Sequence, residues 1–364
     1  MAATKIYIPV GWLEQRRPLR RTGERRTSLA SPGGSWSNTA VHRAFAMITG
    51  ALRHHQAMDS KGSYSSRSQG NPLSMVRELA HLYRFHLENF SDRVRMQLDE
   101  AKHVEDLVTR KAGLELSGLD VLEVGPGQYL TQLLYFSKNN RAVGIDRDVI
   151  DQRASMSTYI EMLRDNGWFR TTKTLGRKLL GIDRKYAAAI RQSLDVDKIP
   201  DVVVHRMDVR EMTFPERSFD FVYSRAVLHH LDDVGRAIAE IARVMRPGGA
   251  CYLTLHPYTS PTGCLDPRIY TAQRNEVEGW PHLRQAADNR LLPANAMVNR
   301  LRIGEWKKLF ADLMPECEFI FARIDDDGVA QRARALHERG ELTEYSLDEL
   351  LTGEMAVFWK KPMP

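Results

Sequence analysis

The chain has 364 residues, 43% hydrophobic and 27% charged, which suits a globular protein with one large core and appendages. No apolar run approaches the ~20 residues needed to span a bilayer. A net charge of +6, gathered mainly in the N-terminal tail and one internal stretch, argues only weakly for a nucleic-acid partner. Cys251, Cys264 and Cys317 form no C-x-x-C pair and are odd in number, which argues against a disulfide framework and fits a reducing, cytoplasmic setting.

Residues 1–70 carry the pairs Arg16-Arg17, Arg20-Arg21 and Arg25-Arg26 among Ser, Thr, Gly and Pro. That composition cannot bury a core and predicts a disordered basic tail. An Arg-rich, acid-poor start also suits a transit peptide. The blander reading is a floppy tail or an upstream start, with Met47, Met58 or Met75 as later starts. A folded domain is expected over 71–364. Pro72 opens a helical pattern on Leu73, Val76, Leu79, Tyr83 and Leu87, and a second helix is expected from about Ser91 to Lys111. The stretch 71–112 thus reads as N-terminal helices.

Val121–Val124 reads as a buried strand interrupted by one acid, Glu123, and breaks into Gly125-Pro126-Gly127. A helix is expected from about Gln128 to Lys138, then a strand, Ala142–Ile145, ending in Asp146. Strand, glycine turn, helix, strand and acid is a dinucleotide-type βαβ unit. Its glycines let backbone N–H groups approach a ligand, and its terminal acid accepts from ribose hydroxyls. An NAD site wants a third glycine at 130, where this chain has Leu130. The carboxylate of Glu123, two residues before the first glycine, suits a cationic amino group instead. The bland alternative is a turn that merely joins a strand to a helix.

Asp146 and Asp208 lie 62 residues apart, too far for a simple strand–helix–strand connection, so 153–200 holds an insertion. Tyr159, Met162, Leu163, Leu179, Ile182, Tyr186 and Ile190 predict helices there. Arg164, Arg170, Lys173, Arg177, Lys178, Arg184, Lys185 and Arg191 make them basic. A solvated excursion and a lid for an anionic substrate or head group are both open readings. A strand over Val202–Val204, extended to Met207, ends at Asp208-Val209, and another follows at Phe221–Ser224. Asp232-Asp233 caps a helix bearing Ile238, Ile241, Ala242 and Met245, which Arg246-Pro247-Gly248-Gly249 ends. Ala250–Leu255 reads as a fifth strand. Prolines break 257–303 repeatedly, so it reads as a loop region, with Arg268, Tyr270, Trp280, His282 and Arg284 as candidate substrate-side residues. A helix from Gly304, a strand at Glu318–Arg323, a helical turn at Leu347–Leu351 and a last strand at Met355–Lys360 close the chain.

Glu123-Val124-Gly125-Pro126-Gly127 resembles motif I of the class I S-adenosylmethionine (SAM) dependent methyltransferases, acid-x-Gly-x-Gly-x-Gly, with Tyr129 in place of the third glycine. Phe219-Asp220-Phe221-Val222 and Arg246-Pro247-Gly248-Gly249 resemble that family's later segments. The resemblance covers 112–256 strongly and 304–361 weakly. It implies an α/β, Rossmann-like, doubly wound, seven-stranded, mostly parallel sheet with helical insertions. It also implies SAM as cofactor, with Glu123, Gly125 and Gly127 cradling the methionine side. Asp146 would take the ribose, Asp208 and Val209 the adenine, and Ser224 would stand beside them. Methyl transfer to a small-molecule, sugar or lipid-like acceptor is the activity implied. His230 and His256, near the ends of the fourth and fifth strands with His229, are candidate bases. No H-E-x-x-H and no Cys pair suggests a metal. Two alternatives stand: a nucleic-acid methyltransferase, disfavoured by Ser224-Arg225-Ala226-Val227 where an Asn/Asp-Pro-Pro-aromatic motif belongs, and a non-catalytic SAM- or partner-binding module. Acceptor, methylated atom and oligomeric state are not legible.

Overall fold

The computed structural model describes residues 90–148, 150, 156–165, 167–261, 263, 279–280, 282–284 and 299–364. The tail 1–70, the helix expected from Pro72, Cys264, Arg268 and Tyr270 lie outside the described residues. So do the side chains of Arg170 and Lys173.

Seven strands form one sheet in the order β3-β2-β1-β4-β5-β7-β6. They are β1 (Asp120–Val124), β2 (Arg141–Asp146), β3 (Val203–Arg206), β4 (Phe219–Arg225), β5 (Met245–Leu255), β6 (Glu318–Arg323) and β7 (Thr352–Lys360). The first five pair in parallel, and β7 runs antiparallel to both β5 and β6. The sheet is therefore Rossmann-like and doubly wound. Its direction of winding reverses between β1 and β4, and ligands of such sheets bind beyond the carboxyl ends of the strands at that point.

Alternation sorts the strand side chains onto two faces. Val121, Phe221, Tyr223, Ala250, Tyr252, Ala356 and Phe358 pack against helix α1 (Phe90–Ala112), whose Ala101, Val104, Leu107 and Val108 recur at helical spacing. Phe136 of helix α2 (Thr131–Ser137) joins that face. Leu122, Val124, Val222, Cys251, Leu253, Leu255 and Val357 point the other way, onto α6 (Val234–Val244) and onto Trp306 and Phe310 of α7 (Ile303–Leu313). Among its described residues the insertion holds three helices, α3 (Met156–Asp165), α4 (Gly167–Leu179) and α5 (Ile182–Leu194).

Three expectations need correction. The helix expected from Gln128 starts only at Thr131. Gly125, Gly127 and Leu130 all adopt positive φ, so the turn takes up the residues before it. Arg246-Pro247-Gly248-Gly249 does not merely stop a helix, since β5 already begins at Met245, paired with Phe219. A Cβ on Gly249 would stand 2.6 Å from the Asp220 carbonyl oxygen, so only glycine lets the two strands close there. A helix missed from the sequence, α8 (Asp327–Glu338), packs Val329, Ala333 and Leu336 with the short α9 (Leu347–Leu350) and Trp280 in a satellite cluster.

Asp233 caps α6 as the sequence predicts, its carboxylate accepting from the Arg236 N–H at 3.0 Å. Asp233→Ala is expected to cost about 1 kcal/mol in chemical denaturation, and Asp233→Asn much less.

Candidate functional site

The site is built at the carboxyl ends of β1 and β4. Gly125 follows β1 with φ +72°, and a Cβ there would meet Val227 Cγ2 at 2.3 Å. No side chain fits, so the backbone can bend sharply against β4. The Gly125 N–H donates to the Ile145 carbonyl at 2.8 Å, which ties the turn to β2. Gly127 also has positive φ (+66°) and faces open space. Two successive glycine bends leave backbone N–H groups at the foot of α2, where an anionic or polar ligand group is favoured.

Glu123 lies just inside the turn and is 1% exposed, and its Oε2 has no hydrogen-bond partner. Burial, helped by the nearby Glu100, pushes its carboxyl up to about 8. The same face holds Tyr223 and Arg225 of β4, the second of which pairs with Glu100 of α1 at 2.7 Å. Tyr223 donates to Glu100 at 3.2 Å. Glu354 of β7 shares this surroundings, and burial and Glu100 hold its carboxyl above the usual range. Glu100, Arg225 and Glu354 were invisible to sequence reasoning. They meet across 125 and more residues, and no local spacing announces them.

At the ends of β2 and β3 the two predicted acids adopt matching turns. Asp146 Oδ1 accepts from the Asp148 N–H and Asp208 Oδ1 from the Arg210 N–H, both at 2.9 Å. Arg210 also pairs with the Asp208 carboxylate at 2.7 Å and lowers its pKa. Val209 is buried in the core cluster beneath, and the Ser224 hydroxyl donates to the Val124 carbonyl at 3.2 Å, joining β4 to β1. These two therefore support the floor of the site.

Tyr129, standing where a third glycine was expected, is explained by the insertion. Its ring stacks on Tyr186 of α5 with centroids 3.9 Å apart, and the Arg177 guanidinium of α4 lies 5.0 Å from its centre. The Tyr186 hydroxyl lies 3.0 Å from Thr131 Oγ1 at the start of α2 and donates to Gln97 of α1 at 2.8 Å. Insertion, turn and α1 are thus laced together beside Glu123.

The three histidines converge. His229 and His230 have ring centres 4.1 Å apart, and His229 and His256 5.3 Å. His229 Nδ1 accepts from the His256 N–H at 3.3 Å. His256 Nδ1 lies 3.2 Å from the Gly353 carbonyl, which can only accept, so Nδ1 carries the proton and Nε2 presents a lone pair. Burial lowers His256 to about 4 and His229 well below its ordinary value. Asn299 clamps this turn: its N–H donates to the His229 carbonyl, and its Nδ2 to those of Leu228 and Leu231.

Three of the expected substrate-side residues of the loop region lie among the described residues and have structural partners. Trp280 is fully buried and donates to the Thr259 carbonyl, His282 Nε2 donates to that of Tyr258, and Arg284 pairs with Glu341 at 2.6 Å.

Residues 166–253 match the family described as "Methyltransferase domain". The chain is similar to the 27-O-demethylrifamycin SV methyltransferase of Amycolatopsis mediterranei, 42% identical over 67 residues that make up 18% of this chain and 22% of that one. It is also similar to the uncharacterized methyltransferase YcgJ of Bacillus subtilis, 24% identical over 137 residues, 37% of this chain and 47% of the other. The ubiquinone biosynthesis O-methyltransferase of Rhodopseudomonas palustris is 29% identical over 75 residues, 21% of this chain and 30% of that one. This chain thus spans less than half the length of each of these curated relatives. The crystal structure of YcgJ covers 72% of this chain and all of its own, at 16% identity and a TM-score of 0.38. Family match and curated relatives agree with the resemblance to class I SAM-dependent methyltransferases carried by the motifs.

The raised Glu123 has a thermodynamic signature. Its folded pKa lies above the unfolded one, so folding binds a proton and stability falls as pH rises between the two values. Relative to Glu123→Gln, the wild type is expected to lose roughly 3–5 kcal/mol between about pH 5 and about pH 8.5. Urea titrations of both proteins across that range measure it.

Proposed function

We propose that this chain, a relative of the class I SAM-dependent methyltransferases, transfers the methyl group of SAM to a small-molecule, sugar or lipid-like acceptor. The observation that carries the reading is Glu123. A fully buried carboxylate with an unpartnered oxygen costs the fold several kcal/mol. A glycine turn that only joined a strand to a helix would gain nothing from it, whereas a ligand's ammonium group would answer it directly. The residues present fit SAM: Glu123 for the ammonium, the bends at Gly125 and Gly127 for close approach, Asp146 for the ribose hydroxyls and Asp208 for the adenine amino group, above Val209 and Ser224.

SAM supplies, when bound, a methyl group already activated on a sulfonium. The protein's share is then alignment and the exclusion of water. Walls fit for that surround the turn, namely α1 and the insertion joined through Tyr129 and Tyr186. An acceptor that loses a proton needs a base. His230 and His256 Nε2 are the candidates. His256 is neutral at physiological pH and so available, though weakly basic. The similarity to proteins named for O-methylation favours a hydroxyl-bearing acceptor.

Calorimetric titration with SAM and S-adenosylhomocysteine tests the cofactor reading. Micromolar binding is expected, weakened about tenfold or more in Asp146→Ala by the loss of charge-assisted hydrogen bonds. Absence of binding by the wild type refutes it. With an acceptor in hand, His230→Ala or His256→Ala is expected to lower turnover about 10²-fold or more. Unchanged turnover in both variants would remove the histidines from the mechanism.

A further inference from the structure

Among the described side chains of helix α4, the buried Thr171, Thr174 and Arg177 lie three apart on one face and are polar, while Leu175 and Leu179 stand exposed. An amphipathic helix of a water-soluble surface does the reverse. Helix α3, packed beside it, exposes Met156, Ile160 and Leu163 at spacings of four and three, and of its own side chains buries Met162. With Leu180, these are six of the nine large hydrophobic side chains that stand exposed among the described residues, Met156 at 76% and Leu179 at 68%. Isolated exposed leucines need no explanation, but six within 25 residues of chain, on two helices that pack together and the turn after them, are a concentration that does.

Charge accompanies the patch. Residues 156–191 hold eight Lys and Arg against three Asp and Glu, an excess close to the whole chain's net charge. Arg184 and Lys185 are exposed at the start of α5, directly after Leu179 and Leu180, and Arg164 follows Leu163. Apolar side chains at a surface, with cations at the same corners, match an anionic lipid interface, where acyl chains take the leucines and head groups the lysines and arginines. No described helix is long and apolar enough to cross a membrane, so the contact is interfacial.

We propose that the α3–α4 face docks the chain on the surface of an anionic lipid bilayer, with Met156, Ile160, Leu163, Leu175 and Leu179 entering the head-group boundary. This does not depend on methyl transfer, so it stands or falls apart from the cofactor titration. The test is cosedimentation of the full chain with vesicles of phosphatidylcholine and phosphatidylglycerol, and of phosphatidylcholine alone. Binding is expected to the first, at least tenfold weaker to the second. Exchanging two of these exposed apolar side chains in Ile160→Gln/Leu179→Gln is expected to weaken it at least tenfold, and each of Arg184→Gln and Lys185→Gln about fivefold. These positions are exposed, and circular dichroism checks that the variants fold. No binding to anionic vesicles overturns the proposal. So does binding that the double variant keeps, because attraction by charge alone would then suffice. Sedimentation velocity covers the remaining occupant: a dimer that the double variant dissociates, without vesicle binding, assigns the face to a second copy of this chain.

Discussion

Glu123 is a carboxylate in the middle of a parallel sheet, between β2 and β4 and beneath α1. A charge there is tolerable only when something opposite in sign or hydrogen-bonding reaches it. Arg225 lies close, yet it is engaged by Glu100, and Glu354 adds a further acid to the same surroundings. The local ledger therefore runs to excess negative charge, and a bound proton balances it when no ligand does. A cation delivered to the open end of β1 would displace that proton. On the proposed reading, ligand binding and proton release would be one event at Glu123.

The turn beyond Glu123 is equally constrained. Val227, at the end of β4, fills the space where a Gly125 side chain would stand, so β1 and β4 can be joined at their ends only through a glycine. The same neighbourhood explains why position 129 escapes that rule. Its backbone lies where the insertion packs, and the stack with Tyr186 under the Arg177 guanidinium makes an aromatic ring more useful there than open space. A departure from the motif and a departure from the usual chain length thus compensate each other.

Local pattern carried much of this into the sequence. The core strands and the helices of the insertion follow from periodicity, and the glycine turn with its acids from spacing. Boundaries failed where backbone conformation is decided by tertiary contact: Leu130 is left-handed because the turn demands it, and β5 starts early because Gly249 can touch Asp220. Helix α8 escaped notice because its buried face is carried by Val329, Ala333 and Leu336 in a polar segment, too thin a stripe to stand out. Glu100, Glu354 and Asn299 were beyond reach for another reason. Each matters only through a partner far away in the chain, and nothing local marks such an encounter.

Polarity is arranged across the insertion in layers. The apolar sheet comes first, then the ionisable face with Glu123, Arg225 and Glu100, then Tyr129 and Tyr186, then the polar side of α4, and outermost its leucines. A helix packed on an ordinary core would have to present leucines inward. Among its described side chains this one turns Arg177 and two threonines inward, and Arg177 pairs with Asp183 at 3.2 Å. The described polar face of α4 thus meets the Arg177–Asp183 pair and the Tyr129–Tyr186 stack, and its leucines are left to the outer surface.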